Sequence, residues 1–243
     1  MPESERSPQP LSRETAMRNS AQGIPAADLL GEQISALLAR SVAPHGLARP
    51  LRAVLKELEL QRSPQAGQKV WPNGSDGSSP AKVQIGGGTR LLDGFLNIDA
   101  VPPADLLWDV REGIPLGDDT VELLFSEHFL DLLDFPRSAK EYARESLRVL
   151  APGGRIVTGV RDAAFVLRNY SKPSKRFDNV YLDLINHVFR GGDDDFRTWS
   201  YDQGELVQLF SEAGFETIGV WDFDPSVANP AREMGSVYVV ATK

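Results

Sequence analysis

Apolar residues follow a helical period before residue 62 and a strand-and-helix alternation after residue 80. Between residues 26 and 60 they recur three or four positions apart, which predicts two amphipathic helices. Pro44 and Gly46 separate these helices. Their apolar faces consist of Leu30, Ile34, Leu37 and Leu38 in the first and of Leu51, Val54, Leu55 and Leu58 in the second.

After residue 80, short apolar runs alternate with amphipathic segments. The runs are typical of buried parallel strands and cover residues 81–86, 95–100, 121–125 and 155–160. A helix is predicted over 137–150 and ends at Ala-Pro-Gly-Gly. Asp202 and Glu205 form a capping box for a later helix that Gly214 ends. Two final strands, 216–223 and 236–242, are joined by a loop too short for a helical crossover, which predicts an antiparallel pair.

These patterns predict four parts of the chain. Residues 1–22 are polar and are expected to be a disordered tail, and residues 23–60 form a helical cap. Residues 61–80 are rich in Gly, Ser, Pro and Gln, which is typical of a linker. Residues 81–243 form an α/β domain with a doubly wound sheet, and residues 161–201 are an insertion within it.

Composition excludes several kinds of site. The 243 residues include no cysteine and three histidines, so thiol nucleophiles, cysteine-bound zinc and disulfides are excluded and no metal site is expected. The net charge of −8 argues against a nucleic-acid partner. The sequence has no apolar run of about 18 residues and no signal-peptide pattern, so we expect no membrane contact and a cytoplasmic location.

Candidate binding residues follow the predicted strands. Three glycines, Gly86 to Gly88, end the first strand and let backbone approach a ligand closely. The dinucleotide fingerprint would need glycine where Leu91 stands, which disfavours a pyrophosphate site. Asp99 ends the second strand, where a carboxylate can accept hydrogen bonds from ribose hydroxyls. A plain turn at the glycines and a surface role for Asp99 are the alternatives.

The segment from Lys82 to Asp162 resembles the class I S-adenosylmethionine (SAM)-dependent methyltransferases, in the type 11 subgroup. The matching pieces are VQIGGGTR, GFLNIDAV, DLLWDVREGIPLGDDTVELLFSEHFL and LRVLAPGGRIV. Their order and spacing carry the resemblance more than any one piece does. A weaker likeness extends to YDQGELVQLFSEAGF and the final hairpin.

This resemblance implies a Rossmann-like sheet of about seven strands, mostly parallel with an antiparallel C-terminal hairpin. It also implies that SAM is the cofactor, with S-adenosylhomocysteine as product. The glycines would line its methionine and ribose parts, Asp99 would hold the ribose, and Asp109 with Val110 would flank the adenine. The implied cofactor-binding residues are Gly86, Gly87, Gly88, Asp99, Ala100, Asp109, Val110, Ser126 and Glu127. Pro152 to Gly154 would be a structural turn before a strand.

The chain departs from the family pattern at three places. Gly87 replaces the small residue or cysteine common between the first glycines, and residues 89–95 are too short for a full first helix. Leu130-Asp131-Leu132 replaces the frequent Leu-Glu-His, so the second histidine of that pattern is missing.

The expected reaction is methyl transfer to an oxygen or nitrogen of a small-molecule acceptor, which requires mainly positioning of the reactants. The candidate catalytic residues are His128, Tyr170 and His187, and the candidate substrate-binding residues are Arg161, Asn169 and Asn186. The alternative for each histidine is a structural role, and the alternative for Tyr170 is a place in the hydrophobic core. Asp193 to Asp195 favour a solvated charge run over a metal site.

Two other functions are compatible with the sequence. SAM could itself be the substrate, cyclised to azetidine-2-carboxylate with release of methylthioadenosine, as in azetidine-2-carboxylate synthases. A non-catalytic binding partner with the same fold is the alternative from another class. The missing second histidine is its only support.

Overall fold

A computed structural model of the chain describes residues 28–39, 48–61, 80–170 and 199–243. These residues belong to two compact units, Met1–Arg62 and Ser63–Lys243. The first unit contains helix α1, residues 28–39, and helix α2, Ala48–Gln61. The predicted tail, nearly all of the predicted linker and most of the predicted insertion lie outside the described residues. Nowhere in the described ranges is a helix both long and apolar enough to cross a bilayer.

The second unit is built on a seven-stranded sheet with the order β3-β2-β1-β4-β5-β7-β6. Strands β1 to β5 pair in parallel, whereas β7 is antiparallel to both of its neighbours, β5 and β6. The prediction of a Rossmann-like, mostly parallel sheet with an antiparallel C-terminal hairpin is therefore confirmed. The strands are β1 (Lys82–Ile85), β2 (Leu96–Asp99), β3 (Leu106–Leu107), β4 (Val121–Glu127), β5 (Leu150–Arg161), β6 (Thr217–Val220) and β7 (Ser236–Thr242).

Among the described residues, the second unit has three further α-helices: α3 (Arg137–Val149), α4 (Ala163–Tyr170) and α5 (Gln203–Ala213). The side chain of Asp202 accepts the backbone N–H of Glu205 at 2.9 Å and so caps α5. Gly214 ends α5 in the left-handed conformation. The predicted bounds of α3 and the cap and stop of α5 agree with the structure.

Side chains on the two sheet faces enter different cores because successive strand residues point to opposite sides. Leu124 lies in the main core, which includes residues of α3 and α5. Its neighbour Phe125 lies in a smaller cluster with Val157, Ala228 and Tyr238. Gly159 of β5 packs directly against Tyr238, since a Cβ added at Gly159 would lie 2.2 Å from the tyrosine ring.

The expectation that Pro152 to Gly154 form a turn before a strand is wrong. Strand β5 begins at Leu150, so these residues interrupt it from within, and the β4–β5 register shifts between Val121 and Leu123. A Cβ at Gly154 would lie 2.8 Å from the carbonyl oxygens of Ala151 and Val121. The irregular segment therefore needs glycine because backbone surrounds it closely.

The guanidinium of Arg148 connects α3 to the loop before β4. It donates to the carbonyl oxygens of Ile114 and Leu116 at 2.8 and 2.9 Å. It also pairs with Glu145 at 2.7 Å, and this hydrogen bond holds the pKa of the Glu145 carboxyl below its usual value. Glu145 accepts the N–H of Ile114 at 2.9 Å. Loop and helix thus share one hydrogen-bonded network.

We predict that Arg148→Met destabilises the fold by about 1–3 kcal/mol, because two loop carbonyls lose their donor. Arg144→Met is the matched control, since Arg144 is largely exposed on the same helix. Its cost should stay within about 0.5 kcal/mol. Urea unfolding measures both variants, and equal losses would contradict the role given to Arg148.

The lowered pKa of Glu145 makes its contribution depend on pH. A carboxyl whose pKa is lower in the folded state stabilises fully above its unfolded pKa, about 4.3, and loses that effect as pH falls through the folded pKa. The difference in unfolding free energy between wild type and Glu145→Gln should therefore be constant above about pH 5 and shrink below pH 4. Glu141→Gln, at an exposed position, serves as control in the same urea titrations. A difference that does not change with pH would refute this.

Candidate functional site

The glycine loop after β1 and the end of β2 meet at the carboxyl edge of the sheet. Asp99 ends β2, and its Oδ2 accepts the N–H of Gly88 at 2.9 Å. Its Oδ1 accepts the N–H of Val101 at 3.1 Å, across Ala100. The structure thus brings together the predicted Gly88 and Asp99 and fixes the orientation of the carboxylate.

Two of the three glycines need positive backbone φ angles, 68° at Gly86 and 58° at Gly88. A Cβ at Gly86 would lie 2.3 Å from the ring of Phe129, whereas one at Gly88 would meet nothing within 4 Å. At Gly87, the Cβ would approach the side chain of Gln84 at 2.7 Å. Internal packing therefore explains Gly86 and Gly87, while Gly88 has open space beside its backbone.

Asp109 and Val110 lie at a 3-10 turn, Val110–Glu112, that follows β3. The Asp109 carboxylate caps this turn by accepting the N–H of Arg111 at 3.0 Å, and it pairs with the Arg111 guanidinium. The side chain of Val110 lies in the main core. Only the backbone of Val110 is therefore available to contact a ligand.

Ser126 is completely buried, and its hydroxyl lies 3.1 Å from that of Thr158 on β5. The hydroxyl of Tyr142 on α3 is also buried, and among the described residues it has no hydrogen-bond partner. Burial raises the pKa of Tyr142, so this phenol stays protonated. Polar groups therefore continue beneath the carboxyl edge into the interior.

Glu127 ends β4 with a carboxylate that is only 4% exposed. Its Oε1 accepts the hydroxyl of Tyr238 at 2.6 Å and the N–H of Asn229 at 3.0 Å. Its Oε2 pairs with the guanidinium of Arg232 at 3.0 Å. A residue predicted to contact the cofactor thus has three partners within the protein, and the β6–β7 loop supplies two of them.

His128, a candidate catalytic residue, follows β4 in a left-handed backbone conformation with φ of 55°. Such a conformation is uncommon for residues other than glycine and often occurs at functional sites. The N–H of His128 donates to the carbonyl of Gly159 at 2.8 Å, and its Nε2 lies 2.8 Å from the hydroxyl of Ser236. The imidazole is therefore oriented by the first residue of β7.

Arg161 ends β5 and forms a 2.7 Å ion pair with Asp131, which is nearly completely buried. This pair gives a physical role to Asp131, which stands in the segment that departs from the family pattern. Tyr201 lies nearby, with a buried hydroxyl that has no partner among the described residues. Burial, and then the charge of Asp131, raise the pKa of Tyr201. No periodic pattern in the sequence indicates that Arg161, Asp131 and Tyr201 lie together.

The remaining predicted acceptor residues are not described at side-chain level. Asn169 and Tyr170 end α4, and Asn186 and His187 lie outside the described residues. Within the described ranges, no group of three or more acidic or histidine side chains could hold a metal ion.

Comparison with known proteins found matches among solved structures only. No family model and no curated protein matches the chain. Solved structures similar to it include SAM-dependent methyltransferases. One, from Thermotoga maritima and a possible histamine N-methyltransferase, is 18% identical over 76% of this chain and 87% of its own, with a TM-score of 0.44.

Two other examples show the same degree of likeness. A SAM-dependent methyltransferase from Mesorhizobium loti is 15% identical, covering 68% of this chain and 93% of its own with a TM-score of 0.42. One from Methanosarcina mazei is 15% identical, covering 72% and 98% with a TM-score of 0.45. At these identities and TM-scores the likeness carries no argument about the reaction, and the fold stands on the strand order.

The two positive-φ glycines allow a matched comparison. Gly88→Ala should cost about 1–2 kcal/mol, because alanine is strained in the left-handed region. Gly86→Ala should cost about 1–3 kcal/mol more, since its methyl group would also overlap Phe129. Unfolding free energies from urea titration measure both costs. Equal costs would show that the Phe129 ring moves aside without loss of stability.

Proposed function

We propose that this protein transfers the methyl group of SAM to an oxygen or nitrogen atom of a small molecule and releases S-adenosylhomocysteine. The observation that carries the proposal is the Asp99 carboxylate, held beside Gly88 at the carboxyl edge of β1 and β2. In open α/β sheets, ligands bind at this edge, where the strand order reverses. Here the order reverses at β1, whose two neighbours are β2 and β4.

The residues at this edge are compatible with a nucleoside. Each oxygen of Asp99 accepts one backbone N–H and retains acceptor capacity for a ribose hydroxyl. The open space beside Gly88 supports close approach of the ligand to the backbone. We assign the adenine to Asp109 and the backbone of Val110, and the methionine part to the glycine loop and the Ser126 region.

SAM would supply a sulfonium-bound methyl group that is ready for displacement. The acceptor's lone pair forms the new bond to carbon as the carbon–sulfur bond breaks, and the sulfur keeps that electron pair. The protein's own contribution is to orient the two reactants in line and to exclude competing geometries. Asp99 fixes the ribose in this arrangement.

An oxygen or nitrogen acceptor also has a proton to lose. We propose that His128 takes up this proton, because this residue follows β4 directly and Ser236 orients its imidazole. Tyr170 and His187 are the candidates from the insertion, and Arg161, Asn169 and Asn186 are the proposed acceptor-binding residues. Because Asp131 already neutralises Arg161, that residue would act by hydrogen bonding more than by net charge.

Calorimetry with SAM and with S-adenosylhomocysteine tests the binding half of the proposal. Asp99→Asn should weaken both ligands about 10- to 100-fold, because hydrogen bonds to a charged group contribute about 1.5–3 kcal/mol. Glu122→Gln is the matched control, since Glu122 is exposed near the opposite end of β4, and it should bind as wild type does. Absence of binding to wild type at sub-millimolar concentration would end the proposal.

Product analysis separates the reaction from its alternatives. With SAM alone, a methyltransferase should release no product quickly, whereas a cyclising enzyme should release methylthioadenosine. Mass spectrometry of such an incubation decides between them. A binding partner without activity should instead copurify with a second chain and fail to bind SAM.

A further inference from the structure

The β6–β7 loop contains a segment that is attached to two neighbouring strand ends. This crossing segment comprises residues 227–232. At its start, the guanidinium of Arg90 donates to the carbonyl oxygens of Val227 and Ala228, the latter at 3.3 Å. At its other end, the backbone N–H of Asn229 and the side chain of Arg232 bind the Glu127 carboxylate.

These attachment points lie on either side of the place where the strand order reverses. Arg90 belongs to the turn that follows Gly88, and its N–H donates to the carbonyl of Gly87 at 3.1 Å. Glu127 ends β4, which pairs in parallel with β1 so that Ser126 lies opposite Ile85. The crossing segment therefore connects the glycine loop to the end of β4.

The Glu127 attachment is costly to break because the carboxylate is buried. The carboxylate is 4% exposed, Ala228 and Tyr238 are buried beside it, and Tyr238 donates a 2.6 Å hydrogen bond. Arg232 holds both the carboxylate and the backbone carbonyl of Glu127. Removing the guanidinium would leave a buried negative charge without its cationic partner.

The adjacent helix that many such sheets place after β1 is reduced here to the short segment 89–95. Gln84 holds the first half of this segment, through hydrogen bonds to the carbonyl of Arg90 and from the N–H of Leu92, both at 3.0 Å. Arg90 donates hydrogen bonds from this segment to residues 227 and 228, and Leu92 lies with Ala228 in the smaller buried cluster. The segment that follows the glycine loop is thus attached to a part of the chain far away in sequence.

We infer that Arg90 and Arg232 are positioning residues for the SAM site. Through the crossing segment, they fix the glycine loop relative to the end of β4 and so determine how well Gly88 and Asp99 fit the nucleoside. This inference rests on the proposed function, because it concerns the fit of SAM to the site.

The test measures the dissociation constant of S-adenosylhomocysteine for Arg90→Met and Arg232→Met by calorimetry. Each variant should bind about 3- to 30-fold more weakly, which is typical of residues that act without touching the ligand. Because both residues act through one segment, the double variant should bind S-adenosylhomocysteine no more weakly than the single variant with the lower affinity. Arg90→Lys retains a cationic donor and should recover part of the affinity.

Arg148→Met provides the control for general loss of stability, since this variant should destabilise the fold without lowering the affinity for S-adenosylhomocysteine. If it weakens binding as much as the two test variants do, the inference is overturned. Unchanged affinity in both test variants, or effects that multiply in the double variant, would overturn it as well.

Hydrogen exchange gives a readout without ligand. Arg232→Met should speed exchange of the Gly88 amide, which donates to Asp99, whereas Arg148→Met should not. If wild type fails to bind S-adenosylhomocysteine but this exchange response occurs, the proposed function fails and the mechanical connection stands. If wild type binds and the Gly88 amide does not respond, the inference fails and the proposed function stands.

Discussion

Parallel pairing of β1 with β2 and β4 is the constraint on which the rest of the site depends. Parallel strands bring their carboxyl ends to one edge, and these ends are followed here by the glycine loop, Ala100 and His128. Residues separated by dozens of positions in the sequence therefore become neighbours without any specific attraction between them. The hydrogen bond from Gly88 to Asp99 then converts this proximity into a fixed geometry.

Buried acidic groups at this edge each receive a basic partner. Glu127 is paired with Arg232, and Asp131 is paired with Arg161. An unpaired carboxylate at either position would be costly because burial removes its hydration. The two arginines come from the β6–β7 loop and from the end of β5, so charge compensation also fixes these segments at the edge. Electrostatics and architecture are thus coupled at the same residues.

Sequence periodicity predicted most of the sheet because buried strands leave strong apolar runs. It predicted α3 from an amphipathic pattern, and the glycine loop and Asp99 from the ends of those runs. The cap of α5 was predicted from the capping box of Asp202 and Glu205. Strand β3 was missed because two residues, Leu106 and Leu107, are too few to show a period. The interruption of β5 was misassigned because Pro and Gly indicate turns, and an irregular strand uses the same residues.

The partners of predicted site residues were less accessible to sequence reasoning. Nothing in the pattern around Glu127 indicates Arg232 or Tyr238, since both belong to segments about a hundred positions away. Arg90 was part of a recognised motif, but its contacts with residues 227 and 228 depend on the tertiary fold. Short-range patterns identify which positions face an edge, whereas the pairings between distant segments follow from packing.

The close packing of Gly159 beneath Tyr238 links steric and electrostatic requirements across three strands. The tyrosine ring occupies the space that a side chain at position 159 would need, and its hydroxyl reaches Glu127. A larger residue at 159 would therefore have to be accompanied by a smaller one at 238. That exchange would in turn deprive the carboxylate of a donor. Homologous chains should consequently vary at these three positions together or hardly at all.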